Sequence, residues 1–186
     1  MNTIEAIKTR YSCRAFTDEM PSDADLQIIA ESAVAAPSAM NMQPWRVFIV
    51  KNKELLAELE SEGMKNIAAL PDKGTYERIM GRGEKLYYNT PCQILVTVEK
   101  ANKWQDIDCG IITQNIALAA TALGINSLIC GLIEFSFNGD KGEYFKKQFG
   151  FPNGFEIGLS VLLGYADEKG VKEPHELDLN KINVVE

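Results

Sequence analysis

Residues 107–123 constrain the fold more than any other stretch: they have the length of a helix, are apolar on nearly every side, and are closed by Gly124 at the expected C-cap. A helix of this kind cannot lie on a wet surface. It must be buried on several sides, either at the centre of the domain or in a subunit interface.

Around it the pattern alternates between helix and strand. Compact apolar runs at residues 47–50, 94–98, 125–130 and 157–165, rich in β-branched side chains, read as strands. Thr3 caps a short helix to Thr9. Ser22 with Asp25 matches a capping box, and Leu26, Ile28, Ile29, Ala33 and Val34 continue that helix towards Pro37. Further helices are expected at 53–61 and at 143–149, the last ended by Phe151 and Pro152. The elements interleave without a repeat, which favours an α+β sheet covered by helices over a doubly wound fold. Between Gly63 and Lys85, Pro71, Gly74, Gly81 and Gly83 interrupt weak helical patterning, so this stretch is either a flexible lid or an irregular helical insertion. Residues 173–186 form an acidic, apolar tail, expected to pack as an arm on a neighbouring subunit.

With 186 residues and 46% apolar content, residues 1–186 are expected to form a single domain. A net charge of −7 argues against broad attraction to nucleic acid or an anionic membrane, so any anionic ligand needs a local basic pocket. No apolar run approaches the roughly 20 residues needed to span a bilayer, and the first residues lack a signal pattern, so the expected location is cytoplasmic. The cysteines at 13, 92, 109 and 130 have no CxxC pair and His175 is the single histidine, so no metal is expected and the thiols are read as buried and free.

Two segments are candidates for chemistry. Between Pro37 and Pro44 the chain cannot continue a helix, and Ser38, Asn41 and Gln43 offer groups that both donate and accept. This is either a helix terminator that satisfies its own backbone or a binding edge for a flat heterocycle. Arg10, Ser12 and Arg14 alternate, which on an extended segment puts two guanidinium forks around a hydroxyl on one face. That is either a phosphate clamp or a pair of ordinary surface arginines.

The ordered set resembles the nitroreductase family: Arg10-x-Ser12-x-Arg14, then Pro37-Ser38-x-x-Asn41-x-Gln43-Pro44-Trp45 and a strand, then the 108–120 helix leaving through Leu123-Gly124-Ile125, then Phe151-Pro152 and Leu163-Gly164-Tyr165. The resemblance implies a mixed central sheet covered by helices in an intertwined homodimer, with two FMN sites built from both subunits. It also implies NADH or NADPH as transient reductant and a nitroaromatic or quinone-type acceptor, by a ping-pong hydride transfer. Carried over by position, Arg10 would bind the flavin phosphate, Tyr11 and Ser12 the phosphate and ribityl region, and Arg14 the pyrimidine edge, tuning reduced flavin electrostatically. Pro37, Ser38, Asn41 and Gln43 would reach the flavin of the opposite subunit. Cys130 and Gly131 stand where the family places backbone amides near the reactive face. The family usually supplies a Lys or Arg pair after its Gly-Tyr strand. Here Lys172 is the choice, beside Lys169 and His175, and a second arginine is absent. Related folds carry out dehalogenation, azoline oxidation or flavin fragmentation, and a flavin-binding sensor is a further alternative.

Overall fold

The computed structural model describes residues 1–185; Glu186, the last residue of the expected arm, lies outside the described residues. Seven α-helices and four strands follow one another: α1 (Thr3–Thr9), α2 (Asp23–Val34), β1 (Trp45–Val50), α3 (Lys53–Ala69), α4 (Gly74–Met80), β2 (Cys92–Glu99), α5 (Gln105–Ala122), β3 (Asn126–Cys130), α6 (Glu134–Phe137), α7 (Gly142–Phe149) and β4 (Phe155–Gly164). The strands form one α+β sheet in the order β1-β2-β4-β3, antiparallel at every pairing. Its parallel component is a single bridge, Ser12 to Ser127, at the β3 edge.

β2 is buried on both faces from Cys92 to Val98, which is why it reads as a continuous apolar run. Cys92, Ile94, Val96 and Val98 meet Ile112, Ile116 and Ala120 of α5 and Leu26 and Ile29 of α2 on one face. On the other face Leu95 belongs to a second core with Leu59, Ile67, Phe137 and Phe145, drawn from α3, α6 and α7. The sheet is therefore sandwiched, and each helix layer has its own core.

Local physics explains most element ends. α1 is capped by Asn2, one residue before the expected Thr3, because the Asn2 side chain accepts from the Glu5 amide while Glu5 reaches back to the Asn2 amide. Ser22 caps α2 by accepting from the Asp25 amide at 3.1 Å. Gly124, at φ 78, follows the end of α5, and Gly150, at φ 69, ends α7, both conformations that L side chains resist.

Two differences from the sequence reading have clear causes. The helix expected to stop near Ser61 runs on to Ala69, burying Leu59, Gly63 and Ile67 on one face, and Gly63 is a contact point where a Cβ would lie 2.7 Å from Leu86 Cδ2 and 2.8 Å from Ser136 Oγ. Residues 63–85 are thus the end of α3, the regular helix α4 and a turn. The second concerns α5, which is buried along one face only within the chain, through Asp108, Ile112, Ile116 and Ala120. Ile107 is 57% exposed on the opposite face, so the helix is not buried all round within the chain, although it packs on the sheet and on α1 and α2.

Packing at Gly63 should reverse the usual sign of a helical glycine substitution. Propensity alone would make Gly63→Ala stabilising by about 1 kcal/mol, whereas overpacking against two buried side chains should make it destabilising by about 1–3 kcal/mol in urea denaturation. The thiols give a second check. Burial pushes Cys92 and Cys109 up to about 12 and Cys130 up to about 11, and it raises Cys13 as well. A raised pKa keeps each thiol protonated below that value, so native protein at pH 8 should resist iodoacetamide while unfolded protein reacts at all four cysteines by mass spectrometry.

Candidate active site

Arg10 leaves α1 with φ −59 and ψ 130, and the chain then runs extended along the outer edge of β3. The Cys13 amide donates to the Ser127 carbonyl at 3.0 Å, fixing the register. Cys13 turns fully into the core, while Arg10, Ser12 and Arg14 line one cleft of about 230 Å³ with Tyr11, Lys172, Glu173 and His175. The alternating face expected from the sequence is present. Lys172, which sequence spacing could not place in space, is brought to it.

The strip is stapled to the chain beyond β4. Asn126 Nδ2 donates to the Tyr11 hydroxyl at 2.9 Å, and Asn126 Oδ1 accepts from the Ala166 amide at 2.9 Å. Burial and nearby Cys13 raise the Tyr11 pKa, partly offset by the Lys172 backbone, so this phenol stays protonated. Further along, the Asp167 amide donates to the Ala15 carbonyl at 3.2 Å and the Thr17 amide to the Tyr165 carbonyl at 2.8 Å. Gly170 is pressed against the Ala15 carbonyl, where any Cβ would collide. That close approach lays Lys169 and Lys172 over the strip.

A larger cavity of about 610 Å³ adjoins this cleft and shares Arg14 and Lys172 with it. Arg82, Lys85, Tyr88 and Asn89 also line it, and sequence reasoning missed all four. The only signal was a cluster of glycines and basic residues near position 82. None of Arg10, Arg14, Arg82, Lys169 and Lys172 forms an ion pair with another described residue, whereas Lys51, Lys65, Lys141 and Lys146 do.

The loop at 37–45 is braced by its own hydrogen bonds and is not part of that cleft in the single chain. Met40, Asn41 and Gln43 hold positive φ values of 51, 54 and 49. Ser38 Oγ accepts from the Gln43 amide at 2.9 Å, and Gln43 Nε2 donates to Asn41 Oδ1 at 3.1 Å. The buried Asp108 carboxylate accepts from the Ala39 amide at 3.1 Å and from Asn102 at 3.3 Å, fastening the loop to the start of α5. Pro37, Asn41 and Gln43 are exposed.

Cys130 closes β3 and is buried, with Gly131 exposed beyond it. Neither lines the two cavities described. A Cβ on Gly131 would meet only Leu159 at an ordinary 3.7 Å, so nothing in the chain itself requires glycine there.

An α+β sandwich whose sheet edge carries a cleft with Arg10, Arg14 and Lys172, none of them in an ion pair with a described residue, is suited to an anionic ligand. The sequence model of the nitroreductase family matches residues 7–165, and the chain belongs to that family. A crystal structure of a nitroreductase with bound FMN from Desulfitobacterium hafniense DCB-2 superposes with a TM-score of 0.95 at 50% identity, covering 100% of both chains. A relative from Archaeoglobus fulgidus, provisionally named NADH dehydrogenase/NAD(P)H nitroreductase, is 31% identical over 91% of this chain and 89% of its own length. An iodotyrosine deiodinase from Thermotoga neapolitana is 25% identical over 90% of each.

The Gly170 contact gives a direct test of how the tail is held. Gly170→Ala should cost about 1–3 kcal/mol in urea denaturation by forcing the turn off the strip. Hydrogen exchange at the Asp167 amide should accelerate with it.

Proposed function

We propose that this chain is an FMN-dependent oxidoreductase that uses NADH or NADPH to reduce nitroaromatic or quinone-type acceptors in a ping-pong cycle, working as a homodimer. The observation that carries the reading is the cleft where Arg10, Arg14 and Lys172 stand around Ser12 with no carboxylate paired to them. A flavin mononucleotide matches that donor set: a phosphate dianion for the cations, hydroxyls for Ser12, and a carbonyl edge for a guanidinium. Bound there, FMN would supply two-electron transfer between the nicotinamide and the acceptor.

The residues divide the work. Arg10 and Lys172 hold the phosphate, with His175 and Lys169 nearby as lesser donors. Ser12 and Tyr11 serve the phosphate and ribityl region, Ser12 as a hydrogen-bond donor. Arg14, whose Nη1 already donates to the Ser12 carbonyl at 3.3 Å, faces the pyrimidine edge and favours the negative charge that reduction brings. For a nitro acceptor, one NAD(P)H and one proton are consumed as the nitro group becomes nitroso and water leaves.

The polar loop of Pro37, Ser38, Asn41 and Gln43 serves the cleft of the opposite subunit. Two features support this: the loop is rigid yet points to solvent, and Ile4, Ile7, Ile107 and Val34 are each about half exposed or more on neighbouring helices. Cys130 and Gly131 present their backbone to the reactive edge, and the bare Gly131 keeps that approach open. Residues 173–185, with Ile182, Val184 and Val185 exposed, form the arm that packs on the partner. The turn after α4 acts as the lid. Four free thiols accord with a reducing, cytoplasmic setting.

Purified protein should be yellow, bleach with NADH or NADPH without air, and recover its colour on adding a nitroaromatic. Failure to bleach with either nucleotide would sink the reductase. Similarity to a deiodinase supports a second reading, reductive dehalogenation, which would show as halide release from a halophenol where nitroaromatics give no turnover. For the clamp, Arg10→Ala should weaken FMN binding by about 1.5–3 kcal/mol, read by fluorescence titration. Sedimentation should find a dimer.

A further inference from the structure

The flavin reading uses Arg14 and Lys172 from the larger cavity, with Lys169 as a lesser donor, and leaves Arg82 and Lys85 unexplained. The only acid among the lining residues is Asp167, and its Oδ1 is occupied by the amides of Lys169 and Gly170, at 2.8 Å each. Lys85 has one loose partner, Glu60 at 3.8 Å. In a chain of net charge −7, five cations facing one space are mutually repulsive until an anion enters.

The backbone that presents them is specialised. Gly83, Glu84, Tyr88 and Asn89 have φ values of 100, 64, 53 and 57, a conformation disfavoured for three of these four residues. The Tyr88 carbonyl accepts from the Phe16 amide at 3.4 Å, which ties this turn to the Arg14 strip. Tyr88 and Phe16, largely buried in the core, form the aromatic floor of a cavity rimmed by cations. That pairing suits a ring carrying a negative group, and it opens directly onto the edge where Arg14 stands.

We propose that this cavity is the acceptor's anion subsite: the electron acceptor is an aromatic or quinone bearing a carboxylate, which Arg82 and Lys85 bind while the ring lies along Tyr88. The proposal rests on the flavin reading above, and it makes the turn at residues 81–85 the specificity element. It also explains how a strongly acidic chain admits an acidic substrate, since the local field reverses the global one within about a Debye length of roughly 8 Å.

The test compares 4-nitrobenzoate with 4-nitrobenzamide, two acceptors of nearly equal size and different charge. With FMN-loaded protein, kcat/KM should favour the carboxylate at least about tenfold at low salt, and Arg82→Glu with Lys85→Glu should collapse that ratio by about ten- to a hundredfold. Both side chains are exposed, so the variant should fold and retain flavin absorbance. Calorimetric binding of the same two compounds, in excess FMN, reads the subsite without turnover and should show the same preference and the same loss. Equal binding of carboxylate and amide by wild type would overturn the subsite even if the reductase is real. A variant whose KM for the nicotinamide nucleotide rose while its preference for 4-nitrobenzoate stayed would overturn the assignment to the acceptor. Failure of the flavin reading would appear separately, as absent bleaching.

Discussion

Because the Cys13 amide is committed to the Ser127 carbonyl and Asn126 spans Tyr11 and Ala166, residues 10–16 cannot move without disturbing both the β3 edge and the exit of β4. The positions of the cations follow from that one docking. Arg10, Ser12 and Arg14 owe their common side to the extended register, and Lys169 and Lys172 owe theirs to the turn that Gly170 allows to rest on Ala15. None of these groups is held by an ion pair with another described residue. Their geometry is a backbone property, which leaves the charges available for a ligand.

Electrostatics then separates the molecule into two regimes. On the surface away from the cleft, lysines meet carboxylates in pairs such as Lys51 with Asp23 and Lys141 with Glu58, exposed contacts that contribute little to stability. Around the cleft Arg10, Arg14, Arg82, Lys169 and Lys172 are crowded and form no ion pair with a described residue, and Lys85 has only Glu60 at 3.8 Å. Such crowding opposes folding, so its persistence points to an anion that the folded chain binds and the unfolded chain does not. A cofactor phosphate answers part of that demand, and the proposed acceptor carboxylate answers the remainder.

Much of this was legible before any coordinates. The strands announce themselves through β-branched runs, the α2 cap through Ser22 and Asp25, and the strip through the alternation of Arg10, Ser12 and Arg14. What was hidden depends on distant contacts. Gly63 reads as a helix breaker because propensity is local, yet Leu86 and Ser136, both far along the chain, fill the space a side chain would need. Arg82 and Lys85 look like ordinary solvated charges until the positive-φ turns at 83–84 and 88–89 fold them back towards Phe16. Asp108 was visible as part of a helical motif, but its bond to the Ala39 amide joins segments 69 residues apart. Pattern reports what each residue prefers; only packing reports what it meets.

Asp108 also links the two unusual surfaces of the chain. Its carboxylate fastens the 37–45 loop to the first turn of α5, the same helix whose outer face leaves Ile107 and Gly110 open. A rigid loop with three left-handed residues carries conformational strain, and strain of this kind persists where the surrounding structure dictates the geometry. In the proposed dimer, the partner that covers α5 would therefore receive the loop in a fixed place, since helix and loop are joined by a part-buried hydrogen bond and not by a flexible linker. Closing the interface and completing the cleft then become a single event. In that proposal the cations gathered at one end of the sheet and the polar loop held at another are brought together by a second copy of the chain.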